Sequence, residues 1–151
     1  MQEIKRIGDQ LKRAYEGEAW HGPSLLELLA DVTAEKAAQK PLARAHSIWE
    51  IVLHVAAWEE AVRRRLTGEV VVLSNEEDWP SVSDTSATAW KKALAALETT
   101  NKQLRETILQ LNEARLNDMV PGKNYSVHYM LHGVIQHDLY HAGQIALLKK
   151  A

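Results

Sequence analysis

The chain has 151 residues, 46% of them hydrophobic, and a formal net charge of -2, with Lys and Arg interspersed among Asp and Glu. That length suffices for one domain with a substantial core, and the charge pattern offers no basic footprint for nucleic acid. The lack of cysteine excludes disulfides, thiolate metal ligands and a thiol nucleophile from the protein itself. No apolar run reaches about 18 residues and the charged N-terminus has no signal-peptide core. The expectation is a single cytoplasmic domain, residues 1-151, with neither a membrane nor a nucleic-acid partner.

From the N-terminus, Ile4, Ile7, Leu11 and Tyr15 recur at helical spacing, and Gly17 is a plausible stop, which predicts a first long helix over Gln2 to Glu16. After Trp20-His21-Gly22-Pro23, either Pro23 or Ser24 can start a short helix running to about Ala30. Thr33 to Ala38 can form another helical turn before Pro41. Ser47-Ile48-Trp49-Glu50 reads as a capping box opening a second long helix, with Ile48, Ile51, Val55, Trp58, Val62 and Leu66 as its core stripe. Thr67-Gly68 closes it. Glu69 to Leu73 is a Val-rich run able to pair as a small strand, and Asn75 to Asp78 with Trp79-Pro80 reads as an acidic surface loop from which Trp79 can pack back. Asp84, Thr85 or Ser86 can cap a third long helix carrying Trp90, Leu94, Leu97, Leu104, Ile108 and Leu111. Pro121-Gly122 turns the chain into a last helix. Short connections between long amphipathic helices favour an all-α four-helix bundle, with a short extra helix after the first and a small extended loop between the second and third.

The last helix, Ser126 to Ala151, places Met130, Val134, His137, His141, Ile145 and Leu148 in a sector roughly 80° wide. Two histidines therefore share the apolar stripe, one above the other. His128 and His132 have the same spacing but fall roughly 160 to 180° away and read as surface histidines. Neutral imidazoles so placed can aim at one divalent ion, at about 2.0 to 2.1 Å; hydrogen-bonded core histidines satisfy the same pattern. The pair differs from a zincin helix because Asp138 stands where a Glu would be, and no Asp, Glu or His follows His141. Any further ligand has to come from earlier in the chain. His54 is the one histidine well inside a second long helix, about 40° from Trp58; alone it reads as a core-edge residue satisfied by a neighbour. Glu50, one turn earlier, can orient it, although capping already explains Glu50.

His54-Val55-Ala56-Ala57-Trp58, the His137 and His141 pair, Trp20-His21-Gly22-Pro23-Ser24-Leu25, His46-Ser47-Ile48-Trp49-Glu50 and Gly143-Gln144-Ile145 together give a chain that, over nearly its whole length, resembles the DinB-like superfamily, also called YfiT-like. The resemblance implies a four-helix bundle with a three-histidine metal site, its ligands His54, His137 and His141, holding zinc, nickel or iron, and a homodimer. Some relatives are linked to S-transfer from bacillithiol, mycothiol or glutathione and others are described as hydrolases. The implied activity is therefore that of a metal-dependent thiol S-transferase or hydrolase acting on a small molecule. Catalytic residues stay unassigned; Asp138 and Glu50 are the general-base candidates nearest in sequence, and Asp138, at the stripe's edge, reads as solvated. The alternative is a non-catalytic stress-response binding module whose metal serves stability or ligand capture. An apolar pocket above the histidines, lined by Trp58, Trp20 or Tyr140, would favour the enzyme, and a sealed site the module.

Overall fold

The computed structural model describes residues 2-151. Among these the order is α1 (Gln2–Glu16), α2 (Leu25–Leu29), α3 (Ala34–Ala38), α4 (Ile48–Leu66), α5 (Asn75–Asp78), α6 (Ala87–Leu109), a 3-10 turn at Glu113–Asn117, and α7 (Val127–Lys150). Helix starts follow local chemistry. Ser24, Ser47 and Ser74 each accept from the amide three residues on, and Glu27, Glu50 and Glu77 each reach back to the capping residue's own amide. Thr33, Ser86 and Ser126 cap α3, α6 and α7 in the simpler way. Each such cap contributes about 1 kcal/mol. In the turn before α7, Gly122 has φ +71°, and a Cβ there would meet a Val70 methyl carbon at 2.9 Å, so the backbone and its neighbour both favour glycine.

Two details differ from the sequence expectation. Residues 69-73 have no regular secondary structure and form no ladder, and among the described residues there is no strand, only the isolated bridges Ala19 to Gly22 and Met119 to Ser126. The segment Asn75–Asp78 is a helical turn rather than a loop, because Ser74 and Glu77 form a capping box that its acidic composition obscures. No described helix is long and apolar enough to cross a membrane.

The four long helices pack so that α4 and α1 each contact both α6 and α7, while α2 and α3 close one end against α1, α7, α4 and α6. Their buried faces form two apolar clusters. One, beside α2 and α3, holds Ile51, Val55, Trp90, Leu97, Ile145 and Leu148. The other holds Ile4, Leu11, Val62, Leu104, Ile108, Leu131 and Val134. Glu59 on α4, Asn101 on α6 and Asp138 on α7 fall between them in sequence on all three helices, and all three are fully buried. Together they form a polar layer across mid-bundle.

Within this layer Asn101 donates its side-chain amide to Glu59 Oε1 at 2.8 Å. Glu59 Oε2, Asn101 Oδ1 and both Asp138 carboxyl oxygens have no donor from the rest of the protein. Asp138 is thus buried rather than solvated. Loss of water is the main cause that pushes the Glu59 carboxyl well above its usual range, with repulsion from Asp138 adding to it. Burial likewise raises Asp138 to about 7. A single proton resolves the conflict: a neutral Glu59 donates to an Asp138 oxygen.

As pH rises from the ordinary carboxyl range near 4 through about 7, the folded state keeps a proton that the unfolded chain has released, so these groups lower stability progressively. Glu59→Gln supplies a permanent N–H donor. It is expected to flatten this decline between about pH 5 and pH 8 relative to the parent, read as urea midpoints at each pH. An unchanged slope would show that the pair does not hold the proton.

Candidate metal centre

Packing of α4 on α7 brings His54 against the His137 and His141 pair. His54 Nε2 lies 3.0 Å from His137 Nε2. The ring centroids of the three are 4.5 to 4.9 Å apart, and one ring nitrogen from each lies within 4.8 Å of the others. His54 and His141 are each 5% exposed, whereas His137 keeps an accessible edge. Two imidazole nitrogens sharing a first-row ion sit roughly 2.9 to 3.4 Å apart, depending on its geometry, so the spacing of His54 and His137 suits such an ion.

Hydrogen bonds at the far side of two of the three rings fix which nitrogen faces inward. His54 Nδ1–H donates to the Asp78 carbonyl oxygen at 2.7 Å, with Asp78 Oδ1 at 3.0 Å. His141 Nδ1–H donates to Gln144 Oε1 at 2.7 Å. Each bond leaves Nε2 unprotonated and turned toward the cluster. His137 Nδ1 has no hydrogen-bond partner; Asp138 Oδ1 is 3.8 Å away. Burial lowers all three histidines, and for His141, held at about 4, the neighbouring His137 and His54 lower it further. The imidazoles are therefore neutral near pH 7, as ligation requires.

One side of the cluster is closed. The α5 turn carries Asp78 and Trp79 back over α4, where Trp58 Nε1–H donates to Asp78 Oδ1 at 2.6 Å. Trp79 stacks face to face on His54 at 3.7 Å and on His46 at 3.5 Å, both within 7° of parallel. The other side is open: His137 borders a cavity of about 350 Å³ walled by Trp58, Val62, Arg65, Asp78, Tyr125, Tyr129, Met130, Gly133 and Val134. A Cβ built on Gly133 would meet nothing within 4 Å.

A family model described as the DinB superfamily matches residues 19–145. The chain belongs to the DinB superfamily. Comparison with curated proteins and with solved structures gave no match. The matched stretch of this DinB-superfamily chain includes all three converging histidines, which fit a metal-binding protein.

The remaining sequence candidates lie elsewhere. Glu50 accepts from the Ser47 amide and from Lys40, so it does not orient His54; the Asp78 carbonyl does. Trp58 lines the cavity, but Trp20 is fully exposed and Tyr140 stands at the surface, its ring 5.2 Å from that of His141. His128 and His132 are partly exposed, with Glu3 Oε1 3.7 and 3.6 Å from their Nε2 atoms, a second group able to hold an ion. Gln144 and the Asp78 carbonyl went unassigned in the sequence. The first is detectable as a polar residue three positions after His141 on one helix, whereas a loop carbonyl leaves no sequence signal.

Ala at His54, His137 or His141 is expected to remove most tightly held metal, measured by elemental analysis after dialysis, with helical circular dichroism retained. Ala at His128 or His132 is expected to leave it almost unchanged. Gln144→Leu is expected to weaken binding about 10- to 100-fold, since the His141 ring loses its orienting acceptor. Equal losses at all five histidines would refute the distinction between the two groups.

Proposed function

We propose that this protein is a metal-dependent enzyme in which His54, His137 and His141 hold a divalent ion, zinc, nickel or iron, and a low-molecular-weight thiol is the cosubstrate. The observation that carries the reading is the accessible edge of His137 on an apolar-walled cavity, while Trp79 closes the opposite approach at His54. Three neutral protein ligands leave a coordination position free, the pattern of catalytic rather than structural sites. An ion bound there supplies Lewis-acid chemistry, lowering the pKa of a thiol or of water.

The protein's own residues favour the thiol over water. Hydrolysis calls for a general base beside the nucleophile. Asp138 is buried in the polar layer and does not line the cavity, and Glu50 is committed to its cap. Asp78 does reach the cavity, but its carboxylate accepts from Trp58 and lies against His54. A thiol starts far more acidic than water, so once an ion lowers its pKa it would give its proton to solvent without a protein base, and the chain, lacking cysteine, requires the sulfur to arrive with the cosubstrate. His54 and His141 are held by the Asp78 carbonyl and Gln144, while Trp58, Val62, Met130 and Val134 line the space beside His137 with apolar surface.

The test uses protein loaded with cobalt in place of the native ion. Glutathione, bacillithiol and mycothiol are added in turn, and the near-ultraviolet thiolate charge-transfer absorption is followed together with S-transfer to a fluorogenic electrophile. At least one thiol is expected to give both signals in the parent and neither in His54→Ala. Ester or amide hydrolysis without any thiol signal would overturn the thiol assignment, and failure to take up an ion would overturn the reading as a whole.

A further inference from the structure

Arg65, in the last turn of α4, lines the same cavity as His137 and is 4% exposed. Its Nη2–H donates to the Val71 carbonyl at 2.8 Å and its Nη1–H to the Tyr125 hydroxyl at 3.3 Å; Cζ lies 5.5 Å from the centre of the Trp58 ring. Nε has no partner. All of these neighbours are neutral. The adjacent Arg63 and Arg64, more exposed, are paired with Glu60 and Glu69, but among the described residues no carboxylate pairs with Arg65. Asp78, the carboxylate in the cavity wall, is taken up by Trp58 and His54.

A guanidinium stays ionised at any physiological pH, so the fold holds a permanent positive charge in an apolar wall without a counter-ion. Such burial is unfavourable unless a negative group completes it. A buried cation that lines a cavity and has no counter-ion is complementary to an anion entering that cavity. A single guanidinium among aromatic and aliphatic walls suits a monoanion with an apolar body, not a phosphate dianion, which calls for several cations.

We infer that the cavity is a binding site for small carboxylates, in which Arg65 takes the carboxylate and Trp58, Val62 and Met130 take the apolar body. The Trp58 ring lies 5.5 Å from the guanidinium and 6.1 Å from the His137 ring, so one small molecule can span from the charge to the histidines. That the reacting part of this molecule lies at His137 rests on the reading proposed above; recognition of the carboxylate does not.

The test is a calorimetric titration of metal-free protein with phenylacetate and with its neutral isostere phenylacetamide. Without metal, the carboxylate has no ion to bind. The parent is expected to prefer phenylacetate by about tenfold or more, and Arg65→Met to bind both equally. Because Met removes an uncompensated charge at similar volume, Arg65→Met is expected to melt no lower than the parent. If it does not fold, Arg65→Gln carries the test, since its shorter amide keeps a polar N–H donor on this face while the charge and the bond to Tyr125 are lost. Equal binding of the two probes by the parent, binding of neither, or a preference that survives loss of the charge would overturn the inference. Metal uptake is measured separately on the same proteins. A protein that prefers the carboxylate but takes up no ion refutes the metal reading alone; one that takes up the ion without the preference refutes the carboxylate site alone.

Discussion

The buried pair Glu59 and Asp138, with Asn101 beside it, is the constraint on which the rest of the bundle depends. Apolar side chains above and below this layer are interchangeable in kind, so packing alone would tolerate helices displaced along their axes. Carboxyl groups are not interchangeable with them. A slip of α7 by one turn, about 5.4 Å, would drive Asp138 into either apolar half and strand Glu59 without its partner. The layer therefore sets the register of α4, α6 and α7. His137 immediately precedes Asp138 on α7, and His54 lies a little over one turn before Glu59 on α4, so the register that joins the carboxyl groups also joins the imidazoles.

Around that register the site is assembled from short-range bonds of different origin. The three rings come together by packing of α4 on α7, but their inward-facing nitrogens are set one residue at a time, by a loop carbonyl for His54 and by a neighbour on the same helix for His141. The α5 turn supplies both the carbonyl and the covering indole of Trp79, so one turn of helix orients one ring and shuts out solvent on its face. His137, with no acceptor at its outer nitrogen, is the least constrained of the three and stands at the accessible side.

What could be read from the sequence is what is encoded locally. The Ser47 and Glu50 box, the stripe of α7 and the opposite face given to His128 and His132 are matters of three- and four-residue spacing, and the structure keeps them. The link from His54 to His137 spans 83 positions, and only a family resemblance joined them in advance. Asp138 was misread because its position at the edge of an apolar stripe is compatible with water or with another buried acid, and Glu59 lies on a different helix. Residues 75-78 were misread because charge density masked a capping box. In the run Arg63-Arg64-Arg65 only the third arginine falls on the core stripe of α4, seven positions after Trp58, a signal its charge conceals; packing against residues 71 and 125 then holds it inward.

The glycine at position 133 has no turn to make and no neighbour pressing on it, yet it sits within a long helix, where alanine would be favoured by about 1 kcal/mol. Its contribution is empty space in the cavity wall. A side chain added there would project into the chamber without disturbing the backbone, the polar layer or the histidines. The width of the chamber is thereby set independently of the residues that surround it, and a single codon can narrow it while the rest of the protein stays as it is.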